Sequence, residues 1–143
     1  MKRIVKWETS FTGSNREAVL LFVSKLLQEN GLVSDAAGIC EEFHRREDKG
    51  STILTDNFAI PHTQSAFVNQ AVLLYLRLPR PVDWDQQSSI SRFVFVLLPD
   101  EADKNDLLAM KDFFISLADK RTMSSLAEGA SQEVSKIING ELD

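Results

Sequence analysis

Polar and apolar positions alternate over residues 2–8, with Ile4 and Trp7 as core contacts, and predict an edge strand or extended entry. Thr12-Gly13 predicts a turn. Ser14 and Glu17 then stand at capping-box spacing ahead of a helical face made of Val19, Leu20, Phe22, Val23, Leu26 and Leu27. Asn30-Gly31 predicts the stop of that helix. Ser34 and Asp35 are candidate caps for a second helix. Its Ala36, Ala37, Ile39, Cys40 and Phe43 point inward, and it ends in the charged cluster 44–50.

Beyond this cluster the period changes. Residues 51–54 and 58–60 are short strand candidates joined by Thr55-Asp56-Asn57, where both Asp and Asn tolerate left-handed φ. Residues 71–78 and 91–99 are nearly continuous apolar runs, the mark of strands covered on both faces. Pro79 and Pro81 are expected to break the first of these. A third helix starts near Asp103 to Asp106 and is expected to bury Leu107, Met110, Phe113, Phe114 and Leu117. Two short helices follow, around 122–128 and 132–139, the last capped by Ser131 and ended by Gly140. The order predicts a single α/β domain over 1–143, with a mixed sheet covered by helices on both faces.

Composition narrows the function classes. The chain of 143 residues carries 21 acidic against 16 basic side chains, a net charge of −5, which argues against nucleic acid as the direct partner. The one cysteine, Cys40, excludes an internal disulfide and falls on the apolar helical pattern as a structural thiol. No signal peptide and no apolar run long enough to span a bilayer are visible, so the expected location is the cytoplasm.

The candidate chemistry centres on Phe58-Ala59-Ile60-Pro61-His62. A short strand is expected to end at the proline, which has no N–H to donate, and to deliver His62 on a stiffened turn. An imidazole there is neutral enough near pH 7 to act as a nucleophile. Arg46 stands at the end of the second helix, and a chain running out and back over two short strands can return beside it. Its guanidinium would pair with phosphoryl oxygens if His62 carried phosphate. Pattern alone does not separate Arg45 from Arg46. His44 lacks partners at ligand spacing, so no metal is expected. Asp106 reads by itself as a first-turn acid interacting with the helix dipole.

Arg46-Glu47, Ser51-Thr52 and Ala59-Ile60-Pro61-His62 together resemble the enzyme IIA family of the bacterial phosphoenolpyruvate-dependent sugar phosphotransferase system, in its fructose–mannitol branch. Pro81-Val82-Asp83-Trp84, the strand 93–99 and the helix 107–117 fit the same family, so the resemblance covers nearly the whole chain. It implies a mixed sheet of about five strands, mostly parallel, with helices on both faces. It also implies a phosphocarrier without a cofactor. His62 would accept a phosphoryl group on Nε2 from the histidine phosphocarrier protein HPr and pass it to a IIB component, linked indirectly to a membrane IIC component. Arg46, with Thr52 as a further contact, would bind the phosphoryl oxygens. Phosphoryl transfer asks for an in-line approach, so apolar residues should rim the site, with Phe58 and Phe67 as candidates. Many members carry a second histidine where this chain has Asp106. An ionised carboxylate there would repel the phosphoryl dianion or, alternatively, orient His62 by accepting its other ring N–H. The alternative function is a regulatory module, or a degenerate binding domain, in which phosphorylation state controls a partner.

Overall fold

The computed structural model describes residues 1–141. In chain order its elements are β1 (Lys2–Trp7), α1 (Arg16–Glu29), α2 (Ala36–Lys49), β2 (Ile53–Thr55), β3 (Phe58–Ala59), β4 (His62–Ser65), β5 (Val72–Asp83), β6 (Ser89–Pro99), α3 (Lys104–Ser116), α4 (Lys120–Glu128) and α5 (Ser131–Ile138). The strands form one mixed sheet in the order β1-β5-β6-β3-β2, with β4 also on β6. β1 pairs parallel to β5, and β3 and β4 pair parallel to β6. The long β5–β6 ladder and the β2–β3 hairpin are antiparallel. No helix among the described residues is long and apolar enough to cross a membrane.

Side-chain alternation explains why the two central strands read as unbroken apolar runs. Leu74, Leu76, Phe93 and Phe95 face α1 and α2, where they meet Val23, Leu27, Ile39 and Phe43. Leu73, Tyr75, Val94 and Val96 face the other way, against Met110, Phe113, Leu126, Val134 and Ile138 of α3–α5. Each run therefore buries both of its faces, and two cores flank one sheet.

Pro61 does not end the strand. Phe58 pairs with Arg92, Ala59 with Phe93 and His62 with Val96, so β3 and β4 hold one register against β6. They are one strand interrupted at Ile60-Pro61, which makes the sheet five positions wide. The missing proline N–H removes one ladder bond only. Pro61 still accepts from the Val96 N–H at 3.0 Å, while the Ile60 N–H turns to the Thr52 carbonyl at 2.9 Å. Pro79 and Pro81 likewise do not break β5. They fall where the register against β6 shifts, between Arg77 and Val82, and pairing resumes at Val82 with Ile90.

Several local expectations change at the helix ends. Asn15, not Ser14, caps α1, accepting from the Ala18 N–H at 2.9 Å. Asp35 makes no side-chain cap of α2; Gln28 Oε1, from α1, accepts the Ala36 N–H at 2.6 Å instead. Ala130, not Ser131, is the N-cap residue of α5. Gly31, at a φ of 71°, closes α1 as expected.

The β2–β3 turn rests on Asn57, whose φ of 66° is the left-handed conformation its sequence allowed. Its Oδ1 also accepts from the Ser91 N–H at 2.7 Å and the Ser91 hydroxyl at 2.8 Å, tying the hairpin to β6. Asn57→Ala is expected to destabilise the fold by about 2–4 kcal/mol, roughly 1–2 of it from the positive φ and the rest from the lost side-chain hydrogen bonds, the two from Ser91 and a long one to the Ala127 carbonyl. Asn57→Gly should recover the backbone part. Thermal melts of the three proteins check this, and identical melting of the Ala and Gly variants would contradict it.

Candidate functional site

The site forms where the C-terminal turn of α2 meets the first residue of β4. Arg46 and Lys49 occupy the last turn of α2, where the helix dipole favours cations. The chain leaves through Gly50, folds back over the β2–β3 hairpin, and returns His62 beside the helix end. Arg46 Nε–H donates to His62 Nε2 at 3.3 Å, and Arg46 Nη1 donates to the Gly50 carbonyl at 2.8 Å. The sequence expectation that these two side chains meet is met by this geometry.

The imidazole is held in one tautomer. Its Nδ1 lies 2.9 Å from the Ile60 carbonyl, which only accepts, so Nδ1 carries the proton. Nε2 then keeps its lone pair, in agreement with its accepting the Arg46 N–H. The nitrogen left for attack on an electrophile is Nε2.

Two clefts of different character flank this pair. A polar cleft of about 310 Å³ is lined by Glu42, Arg45, Arg46, Lys49, His62, Thr63 and Gln64. A more apolar cleft of about 420 Å³ lies on the other side, with Leu54, Ile60, Phe114, Leu117 and Met123 in its wall. The Phe114 ring stands edge-on to His62, with centroids 6.5 Å apart at 81°. Arg45 is separated from Arg46 here: it pairs with Glu41 at 3.3 Å on the exposed face of α2. Arg46 makes no ion pair with a carboxylate among the described residues, so its charge is uncompensated beside His62.

Other expected site residues are placed differently. Thr52 is buried, and its hydroxyl donates to Glu47 Oε1, so it does not offer that proton to a phosphoryl group at His62. Asp106 is not a partner of either His62 nitrogen. Its Oδ1 pairs with the Met1 ammonium at 3.1 Å. The register shows why. Arg3, Leu73, Val96 and His62 lie in one row across β1, β5, β6 and β4, and α3 crosses the sheet along that row. The helix begins over the β1 edge and reaches His62 only at Phe114, roughly 12 Å further along its axis. The orienting acceptor is the Ile60 carbonyl instead. His44 turns away from His62, toward a separate cleft shared with Arg16 and Trp84.

The rim also differs from expectation. Phe58 is fully buried and Phe67 packs half-buried against the α1–α2 core. The exposed apolar residues beside His62 are Leu54 and Phe114, 48% and 42% accessible, with Leu107, Leu108 and Ile115 also exposed on α3. Leu107 and Phe114 are therefore not core residues. A signal for this was present: α3 carries Leu107, Leu108, Met110, Phe113, Phe114 and Ile115, an apolar arc wider than one sheet face can cover.

A family model described as "Phosphoenolpyruvate-dependent sugar phosphotransferase system, EIIA 2" matches residues 6–141. The chain is 20% identical over 137 residues to a PTS system fructose-like EIIA component of Escherichia coli, covering 94% of this chain and 93% of that protein. It is 30% identical over 84 residues to a multiphosphoryl transfer protein of Shigella flexneri, of which the match covers 10%. Among solved structures it is similar to the nitrogen regulatory protein IIA-Ntr of Neisseria meningitidis, with a TM-score of 0.71, 27% identity and coverage of 95% of this chain and 92% of that one. It shares its fold with the IIA mannitol protein of Escherichia coli in complex with phosphorylated IIB mannitol, at a TM-score of 0.67 and 15% identity over 94% of each chain.

Proposed function

This chain belongs to the EIIA 2 family of the phosphoenolpyruvate-dependent sugar phosphotransferase system, and we propose that it is a phosphocarrier whose acceptor is His62. The single observation that carries the reading is the His62–Arg46 pair, with Nδ1 tied to Ile60 and Nε2 facing the guanidinium. The Nε2 lone pair attacks the phosphorus of phosphohistidine on HPr. The donor's N–P bond breaks as the new one forms, and its electron pair returns to the donor imidazole. The proton stays on Nδ1, donated to the Ile60 carbonyl. Arg46 Nε–H lies against the nitrogen that must attack, so the guanidinium turns from Nε2 to the incoming phosphoryl oxygens, pivoting on its bond to Gly50. Transfer needs alignment and charge neutralisation more than proton transfer, and these residues supply both.

The phosphoryl group would leave for a IIB component by the same route in reverse. The likeness to a IIA protein solved with phosphorylated IIB supports that acceptor through the shared fold. On this reading residues 1–143 act as one phosphocarrier domain in the cytoplasm, linked to a membrane IIC component only through IIB. The test is incubation with phosphoenolpyruvate, enzyme I and HPr. One acid-labile phosphoryl group per chain is expected, and a wild-type protein that stays unlabelled beside a labelled IIA control refutes the proposal.

The 27% identity to a protein named nitrogen regulatory favours a second reading, in which the same phosphorylation controls a partner instead of feeding transport. Transfer onward to a IIB component separates the two. The intact His62–Arg46 pair argues against a degenerate domain.

Partners must dock around His62, and the exposed Phe114 and Leu54 are the apolar anchors at hand. Phe114→Asp is expected to raise KM for phospho-HPr about 10-fold or more, with a smaller change in kcat. An unchanged KM would remove Phe114 from the docking surface.

A further inference from the structure

We propose that Glu47 is a positioning residue, one that sets the His62 tautomer from inside the core through Thr52 and Ile60. Its side chain is buried, and no cation pairs with it among the described residues. A buried carboxylate without a counter-ion is costly, and an apolar residue would fill the same space more favourably. Here the carboxylate is satisfied by three donors. The Thr52 hydroxyl donates to Oε1, the Thr52 N–H to Oε2 at 3.4 Å, and Trp84 Nε1–H to Oε2 at 3.3 Å. The arrangement gathers Glu47, Thr52 and Trp84 from three separate stretches of the sequence into one node.

From that node a continuous path reaches the imidazole. Thr52 is fixed at both its N–H and its hydroxyl, and its carbonyl accepts from the Ile60 N–H at 2.9 Å. The Ile60 carbonyl accepts from His62 Nδ1–H at 2.9 Å. Ile60 stands at the gap between β3 and β4, where its N–H turns away from β6 to Thr52. Thr52 is what orients it. A second branch serves Arg46, which directly precedes Glu47. The Gly50 N–H donates to the Glu47 carbonyl at 3.2 Å, and the Gly50 carbonyl receives Arg46 Nη1–H at 2.8 Å. Anchoring Glu47 thus fixes the turn that holds the guanidinium and, through Thr52, the ring that faces it. In metal and hydrolase sites a group that hydrogen-bonds the ring directly fixes its tautomer; here that group is the Ile60 carbonyl, and Glu47 acts one residue further back by holding Thr52.

The assignment rests on His62 being the phosphoryl acceptor, but its readout does not. In full-length protein the His62 ring nitrogens are observed by ¹⁵N NMR, without phosphate, in wild type, Glu47→Gln and Trp84→Phe. Wild type is expected to hold Nδ1–H. Glu47→Gln, which places an amide N–H₂ against donors, is expected to shift the ring toward the Nε2–H form. It should also lower kcat for phosphoryl acceptance about 10–100-fold, with KM for phospho-HPr unchanged. Trp84→Phe removes one donor and keeps an aromatic, though smaller, ring in the core, and should give a smaller change in the same direction; it decides the matter if Glu47→Gln does not fold. Folded variants that retain the wild-type tautomer and kcat, with only a lower melting temperature, overturn the proposal. If wild type is not labelled by HPr yet the tautomer still shifts in Glu47→Gln, the positioning role stands and the phosphocarrier reading alone fails.

Discussion

His62→Ala abolishes phosphoryl labelling from HPr while the protein stays folded. The expected loss is complete, because no second imidazole or thiol among the described residues stands near enough to take over. His44 faces a different cleft, and Cys40 lies half-buried on α2 with its thiol pushed above the ordinary range, chiefly by burial. The structural cost is small by comparison. His62 is only partly buried, and alanine forfeits the bonds to Ile60 and Arg46 without opening a core cavity. A near-native melting temperature with no acid-labile phosphate is therefore the result to look for. Residual labelling close to the wild-type level would place the acceptor elsewhere and remove the basis of the proposed mechanism. His62→Gln sharpens the experiment, since its amide can keep a hydrogen bond in that position but has no ring lone pair for phosphorus.

Arg46→Ala is expected to slow transfer about 10²–10³-fold, the range seen when one preorganised donor to a developing negative charge is removed. Arg46 is in no ion pair with a carboxylate among the described residues, so its charge remains available for the phosphoryl dianion. Neighbouring Arg45, already paired with Glu41, does not replace it. Arg46→Lys should recover only part of the rate. Lysine keeps the charge but loses the planar fork, and with it the chance to hold Gly50 and an oxygen at once. Single-turnover transfer from phospho-HPr measures all three proteins. Equal rates for wild type and Arg46→Ala would mean that phosphate is balanced by something other than this guanidinium.

Much of the architecture is legible in the sequence. The apolar runs of β5 and β6, the Asn30-Gly31 stop and the turn at Asn57 all express local chemistry: side-chain period, and φ values that few residues tolerate. The same holds for His62 and Arg46 as a pair, because a short hairpin between them leaves few ways for the chain to return. The errors share a different character. Pro61 reads as a strand end, yet its carbonyl still serves the ladder and the neighbouring strand β6 carries the register across the gap. Phe114 reads as core because an apolar helix position is assigned inward by default. The sheet under α3 has room for only part of that apolar arc.

Asp106 and Thr52 mark the boundary most clearly. Both stand at motif positions, and the reading of both as contacts of the phosphoryl site depended on distances that sequence does not contain. Local periodicity and turn chemistry determined the layers and the two faces of the sheet, and brought a histidine and an arginine within reach of each other. Which of those residues touch was decided only by strand register and the path of α3 across it. These are sums of many weak, long-range contacts that no single segment encodes. That is why a threonine became the prop of a buried carboxylate, while the carbonyl of Ile60, invisible as a side-chain motif, holds the imidazole.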